Sequence, residues 1–219
     1  MTTPKARDRA AKDARRAWTT GGILLIVSSV LPLAVPASEF SLPGGGLIPS
    51  ACFSAAVLIF AFGLRGSGSV TGRRPLGTTA LVVLATWTFL WPFAEQALVA
   101  PLVIDGATWL TLTIGYTGSL VTFAAALVAA VQIARSETIR RPWNWAPGWA
   151  LAAVTAVWVV GQLIFAKASS GGDLSFVFWL STLGGLINIA AVLFLGVLAV
   201  VLAYGSRQAR TVPIFRSDE

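Results

Sequence analysis

The stretch FVFWLSTLGGLINIAAVLFLGVLAVVLAY, residues 176–204, is an apolar tract without one charged side chain. A helix needs about 20 apolar residues to cross a hydrocarbon core of about 30 Å, so this stretch is long enough to span a membrane. Basic residues follow it at Arg207, Arg210 and Arg216. Because cytoplasmic segments of membrane proteins are enriched in Lys and Arg, the stretch predicts a transmembrane helix that ends in the cytoplasm.

The same pairing of an apolar tract with a basic segment extends along the whole chain. Fifteen of the 16 Lys and Arg residues fall within residues 5–16, 65–74, 135–141 and 207–216, and the exception is Lys167. Between consecutive basic groups lies a long apolar tract, broken once by a short segment with few or no basic residues. This positive-inside pattern predicts six transmembrane helices with both termini in the cytoplasm.

We therefore predict an all-α polytopic membrane protein. Its parts are a basic cytoplasmic tail, residues 1–16, a six-helix transmembrane domain, residues 17–206, and a second cytoplasmic tail, residues 207–219. The predicted spans are residues 17–36, 50–64, 76 to beyond 92, 108–134, 150–166 and 176–204.

An arginine pair introduces each odd-numbered span. The pairs are Arg15-Arg16, Arg73-Arg74 and Arg140-Arg141. Three tandem helical hairpins would produce this pattern, and so would independent use of arginine pairs as topology anchors.

The composition agrees with a membrane protein and with little else. Hydrophobic residues make up 56% of the chain and charged residues 11%, and the mean hydropathy is +0.77. Soluble domains carry about 25% charged residues. The net charge of +7 lies beside apolar spans, so it fits contact with lipid headgroups and does not indicate nucleic-acid binding. We expect a multi-pass protein of a bacterial cytoplasmic membrane.

The chain has no histidine, and Cys52 is its only cysteine. Histidine-ligated haem, histidine-based zinc sites, imidazole-dependent catalysis and an intrachain disulfide are thereby excluded. No phosphate-binding loop and no paired carboxylates at membrane depth are present. The sequence therefore predicts a protein that is not an enzyme and that holds no cofactor and no metal.

Residues 1–37 also have features of a secretory signal. A basic start and an apolar stretch lead to Val35-Pro36-Ala37, which has the small residues of a cleavage site. The apolar stretch of about 20 residues is long for a signal and right for a span. Cleavage would leave five spans with the N-terminus outside.

Four polar side chains reach a similar depth when residues are counted from the cytoplasmic anchors at 1.5 Å each. They lie in the outer third of the core or at its outer boundary, and they are Glu95, Tyr116, Gln162 and Asn188. Trp87 and Trp91 share a helix face with Glu95 at spacings of four, and Trp158 stands in the same relation to Gln162.

These seven residues form a candidate ligand pocket. A carboxylate near indole faces suits a small amphiphilic or cationic ligand, which charge pairing and cation–π attraction would hold. The alternative is that Glu95 is an interfacial carboxylate in contact with water and that the polar side chains bond between helices. The apolar run 97–104 either continues span three and buries Glu95 or folds back over the bundle.

Two functions fit this sequence. The first is a non-catalytic scaffold or accessory subunit, which would contact a partner subunit or a second copy of itself, besides the bilayer. Small residues four apart, the spacing of close helix contacts, occur at Ala51 and Ala55, Gly115 and Ser119, and Ala152 and Ala156.

The second function is a small-molecule binding or transport subunit with an outward-facing aromatic pocket around Glu95. In size, span count and outward-leaning polar residues the chain is similar to the substrate-binding subunits of energy-coupling-factor vitamin transporters. This is a similarity of architecture, and no sequence motif accompanies it.

Overall fold

The chain folds entirely into helices in the part that the computed structural model describes. That part comprises residues 4–34, 47–64, 69–72, 74–99, 101–102, 108–136, 143–168 and 174–205. Its six α-helices are α1 (Pro4–Ala34), α2 (Leu47–Phe62), α3 (Pro75–Ala94), α4 (Thr108–Arg135), α5 (Ala146–Ala168) and α6 (Leu174–Gly205). A π-helical turn, Glu95–Val99, extends α3, and a 3₁₀ turn, Trp143–Trp145, precedes α5.

Five of these helices are long and apolar enough to cross a membrane. They are the helices that contain the segments Asp8–Ala34, Pro75–Val99, Trp109–Arg135, Trp143–Phe165 and Trp179–Gly205. The sixth, Leu47–Phe62, has 16 residues, which corresponds to about 24 Å at 1.5 Å per residue. The all-helical class of the prediction is confirmed, whereas the count of six spans and their orientation stay predictions.

The helix ends differ in two places from the predicted spans. Helix α1 begins at Pro4, so most of the predicted basic tail is helical and continuous with the first span. Helical structure beyond α3 continues through Val99. The predicted outer turn before Leu47, the cleavage site at residues 35–37 and the C-terminal tail lie outside the described residues.

The helices pack in a ring that follows the chain order. Each helix contacts the next one, and α6 contacts α1 to close the ring. The contact between α4 and α5 is the least extensive of the six, and the contact between α1 and α6 is the most extensive. A helix that is apolar on most of its surface can pack this way only where its other faces meet lipid.

Side-chain contacts join neighbouring helices at one end of the ring, which we call the basic end because Arg15, Arg74 and Arg135 lie there. The Arg15 guanidinium carbon of α1 is 4.6 Å from the ring centroid of Tyr204 in α6. Trp18 meets Phe60 of α2 edge to face, at 6.1 Å between centroids. Neighbouring helices therefore run in opposite directions.

The connection between α2 and α3 is folded into the basic end. Ser69, Val70 and Thr71 are buried, and Thr71 is fully buried. The Val70 amide donates to the Phe60 carbonyl at 3.0 Å, and Ser136 Oγ, beyond α4, donates to the Val70 carbonyl at 2.9 Å. Residues 69–71 therefore pack into the basic end, although they belong to the polar segment between α2 and α3.

Asn144 fixes the start of α5 against the end of α4. Its side-chain Nδ2 donates to the Ala134 carbonyl at 3.0 Å, which satisfies one of the carbonyls left open at a helix C-terminus. Asn144 is buried. The basic end thus holds the chain through hydrogen bonds as well as apolar contacts.

The apolar core lies in the half of the bundle nearest the basic end. Its largest cluster joins α2, α3 and α4 through mostly small residues, and it consists of Val57, Ala61, Ala80, Leu81, Leu84, Ala85, Ala125 and Ala129. Small side chains permit close approach of helix backbones, which is the principal source of packing energy within a membrane. In the opposite half, the described residues of α3, α5 and α6 include no buried side chain.

Candidate functional site

Four of the seven candidate ligand residues sit on α3 and α4 or the turn that extends α3, and the other three on α5 and α6. The structure divides five of them between two separate groups. One group is the indole pair, Trp87 and Trp91, which packs on α4. The other is the seam cluster, Tyr116, Trp158 and Gln162, which bridges α4 and α5.

The indole pair forms because Trp87 and Trp91 are four residues apart on one face of α3. Their ring centroids are 5.4 Å apart with a tilt of 35°. Trp87 Nε1 donates to the Gly118 carbonyl of α4 at 3.2 Å. Both tryptophans are half-buried, and the pair is an element of the α3–α4 interface.

Gly118 makes this interface possible. A Cβ at Gly118 would lie 2.3 Å from the Trp91 ring, closer than atoms can approach. The Gly118 carbonyl also accepts a hydrogen bond from Thr122 Oγ1 at 3.0 Å, so two side chains share it. Sequence reasoning missed this residue, because it singled out Gly115 and Ser119 by their spacing.

The seam cluster is held by one hydrogen bond and one ring contact. Tyr116 Oη of α4 donates to Gln162 Oε1 of α5 at 2.8 Å. The Tyr116 ring meets the Trp158 ring at 6.2 Å in an edge-to-face arrangement. The prediction placed Tyr116 and Gln162 at one level and Trp158 on the same helix face as Gln162, and the structure brings the three into contact.

Glu95 lies where regular α-helix gives way to a π-helical turn. It follows Pro92 by three residues, and its backbone N–H bonds to the carbonyls of Pro92 and Trp91. The side chain is exposed, as are those of Gln96, Ala97 and Leu98. π-helical turns are rare in proteins, and those that occur are often found at functional sites. The run after Gln96 begins as a continuation of the helix, and Glu95 is not buried by it.

Asn188 is exposed on α6. Among the described residues, no side-chain hydrogen bond or ring contact joins Asn188 or Glu95 to the side chains of the indole pair or the seam cluster. The seven residues therefore do not form one closed pocket within the described part of the chain, and a pocket that they share stays a prediction.

The chemistry of the two groups differs. In the indole pair the Trp87 N–H has its acceptor in the protein, whereas in the seam cluster no hydrogen bond engages the Trp158 N–H or the Gln162 amide nitrogen among the described residues. Tyr116 and Trp158 are 47% and 45% exposed. The seam cluster thus presents hydrogen-bond donors beside aromatic rings on an accessible surface.

Among the residues that the structure describes, no three His, Cys, Asp or Glu side chains are grouped in a way that could hold a metal ion. Acidic residues at 39, 105 and 173 lie outside the described part of the chain. The chain matches no protein-family model, no curated protein and no solved structure.

Proposed function

We propose that this chain is a six-span integral protein of a bacterial cytoplasmic membrane, with both termini in the cytoplasm, that serves as a non-catalytic scaffold or accessory subunit. It would associate with other membrane helices through the outward face of α5. The single observation that carries the proposal is the exposure of that helix.

Helix α5 is the least enclosed of the apolar helices. In its most apolar window 6% of the residues are buried, against 33% for α1. Its outward face has three small side chains at the centre and larger ones at both ends, and the exposed residues of this face are Trp149, Ala152, Ala153, Ala156, Val160 and Leu163. Small residues at such a face let a second helix backbone approach closely.

The sixth span is supported by the direction of the helices around α2. Both α1 and α3 run away from the basic end, so the chain must return through α2 between them. Helix α2 is about 6 Å shorter than a hydrocarbon core of about 30 Å, a mismatch that local thinning of the bilayer can accommodate.

Cysteine labelling tests the threading. In a Cys52→Ser background, Asp8→Cys, Arg74→Cys and Glu95→Cys are exposed positions that a membrane-impermeant maleimide can report. We expect only Glu95→Cys to react in intact cells, and the other two to react after permeabilisation. Labelling of Arg74→Cys in intact cells would show that α2 does not cross the membrane. Labelling of Asp8→Cys would show that the N-terminus lies outside the cell.

A larger side chain on the outward face of α5 tests the scaffold function. Ala156→Leu fills the centre of this face, and Ala124→Leu makes the same change at an exposed position of α4. We expect a stoichiometric complex purified from the native membrane to dissociate with Ala156→Leu and to persist with Ala124→Leu. If the complex dissociates with both variants or persists with both, the outward face of α5 is not the interface.

A second candidate function is a small-molecule binding or transport subunit, and the observation that favours it is the grouping of aromatic side chains in the loosely packed half of the bundle. Glu95 would pair with a cationic group while the indoles stack on the ligand. In a ligand screen by thermal shift, a ligand that stabilises the wild type should lose its effect in both Glu95→Gln and Trp91→Ala. Retention of the shift in both variants would count against this pocket.

A further inference from the structure

The seam cluster contains more hydrogen-bond donors than the protein satisfies. Gln162 Oε1 accepts the Tyr116 hydroxyl proton. The Gln162 amide nitrogen keeps two N–H groups and Trp158 Nε1 keeps one. Within the described residues these groups have no acceptor, which leaves them available to oxygen atoms of another molecule.

The depth of the cluster makes unsatisfied donors costly. Tyr116 lies 19 residues before Arg135 on α4, a distance of about 28 Å along the helix. In a core of about 30 Å this places the cluster just inside the outer boundary if Arg135 marks the inner one. Water is scarce at that level, and each unsatisfied polar group there costs several kcal/mol.

The indole pair shows that this fold can satisfy an indole N–H when a neighbouring helix is close. Trp87 donates to Gly118 because α3 and α4 touch at a glycine. At the seam the contact between α4 and α5 is the least extensive of the six, and a Cβ at Gly115, one residue before Tyr116, would meet nothing within 4 Å. The space at the seam is open to lipid.

The hydrogen-bond acceptors that exist at this depth of the bilayer limit which molecule can bind at the seam. A backbone carbonyl of a partner helix can accept such a bond through its second lone pair, as Gly118 does for Trp87, but only where the two backbones come as close as α3 and α4 do. The ester carbonyls of a phospholipid stand at the boundary of the hydrocarbon core, carry free lone pairs, and are joined to chains that fill an apolar groove.

We propose that the α4–α5 seam is a binding site for an outer-leaflet phospholipid, whose ester carbonyl oxygens accept hydrogen bonds from Trp158 Nε1 and Gln162 Nε2. The lipid enters from the bilayer, and its acyl chain lies between the two helices. Tyr116 positions the Gln162 amide through the 2.8 Å hydrogen bond. This site depends neither on the scaffold function nor on Glu95.

A pair of lipids that differ only in the acceptor tests the proposal. The purified full-length protein in detergent is titrated with a diacyl phosphatidylglycerol or with the dialkyl ether that has the same headgroup and chains. We expect the ester lipid to raise Tm by about 2–4 °C more than the ether lipid, a shift that a modest stabilisation produces in a chain of this size. Trp158→Phe and Gln162→Leu should each reduce the difference.

Two further variants test whether the carbonyl contact belongs to the seam. Trp179→Phe removes an indole N–H from an exposed tryptophan outside the seam, and Glu95→Gln alters the carboxylate of the second candidate pocket. Both should keep the wild-type difference between ester and ether lipid.

Equal stabilisation of the wild type by the two lipids would overturn the proposal. So would a difference that persists when Trp158→Phe and Gln162→Leu are combined. If Glu95→Gln loses the difference between ester and ether lipid, the lipid carbonyl binds at the second candidate pocket. That result would also contradict the seam site. None of these outcomes bears on partner association through α5.

Discussion

The basic end and the opposite end of the bundle are built from similar residues and are packed differently. At the basic end of the α1–α6 contact, a Cβ at Gly22 would lie 2.7 Å from the Gly196 carbonyl oxygen, and one at Gly196 would lie 2.9 Å from that of Gly22. In the opposite half, a Cβ at Gly115 or Gly185 would meet nothing within 4 Å. Glycine therefore brings two backbones together at the basic end, whereas in the opposite half Gly118 makes room for the Trp91 ring and Gly115 and Gly185 leave open space.

Two pairs of hydroxyl side chains show the same difference. Thr71 and Ser136 at the basic end are buried and bonded across elements. In the opposite half, Thr113 and Thr117 are exposed and bond to carbonyls one turn back on their own helix. The difference indicates that the basic end fixes the fold, whereas the opposite end is free to accept lipid, a ligand or another helix.

The largest effect is expected when one methyl group is added at each end. Gly22→Ala should destabilise the protein by about 1–3 kcal/mol, because the new Cβ meets a backbone carbonyl that cannot move without separating α1 from α6. Gly115→Ala should be neutral or should stabilise by up to about 1 kcal/mol, since alanine is the better helix former. Unfolding in a titration with sodium dodecyl sulfate measures both changes. Equal losses would show that the two ends are packed alike.

A second test removes one hydroxyl from each end without changing side-chain volume much. Thr71 Oγ1 is 3.1 Å from the hydroxyls of both Ser69 and Thr78. Thr71→Val should cost about 1–3 kcal/mol, because it removes two hydrogen bonds of a buried hydroxyl at once.

Thr113→Val is the matched control, since the Thr113 hydroxyl bonds to the Trp109 carbonyl on its own helix. This variant should change the free energy of unfolding by less than about 0.5 kcal/mol, as exposed substitutions usually do. A loss as large as that of Thr71→Val would contradict the assignment of the hydrogen-bonded anchor to the basic end.

A third test concerns the close contact between α3 and α4 in the outer half of the bundle. Trp87→Phe removes the N–H that bonds to Gly118, and it should cost about 0.5–1.5 kcal/mol. Trp109→Phe, at an exposed position of α4, should cost less. The same unfolding titration applies, and an equal loss at both positions would show that the Gly118 hydrogen bond contributes nothing to stability.

The helices could be predicted from the sequence because the bilayer leaves the backbone few alternatives. A chain segment in hydrocarbon must satisfy its own N–H and C=O groups, so long apolar tracts such as residues 176–204 become helices. The arginine groups also predicted which helix ends lie together, and the contact between Arg15 and Tyr204 agrees with that pairing. Helix α1 extends from the first predicted span back to Pro4, which hydropathy does not indicate because this segment is charged.

The candidate site could be predicted only in part. Depth counted along each helix placed Tyr116 and Gln162 at one level, and spacing placed Trp158 on the same face as Gln162. The structure joins all three. The same counting could not say which helices are neighbours or which faces they turn to one another. For this reason it grouped Glu95 and Asn188 with the cluster and missed Gly118, whose importance depends on a tryptophan of another helix.

The smallest expected effect is the coupling energy of the hydrogen bond that joins α4 and α5 at the seam. A double-mutant cycle of Tyr116→Phe and Gln162→Leu isolates the 2.8 Å hydrogen bond between α4 and α5. Hydrogen bonds between transmembrane helices contribute about 0.6 kcal/mol on average, so the coupling energy should be near that value. A coupling above about 1.7 kcal/mol, the upper end for such bonds, would mean that the seam is closed by the protein itself. A small coupling that grows when the diacyl lipid is added, and not when the ether lipid is added, would instead show that the seam closes around a lipid.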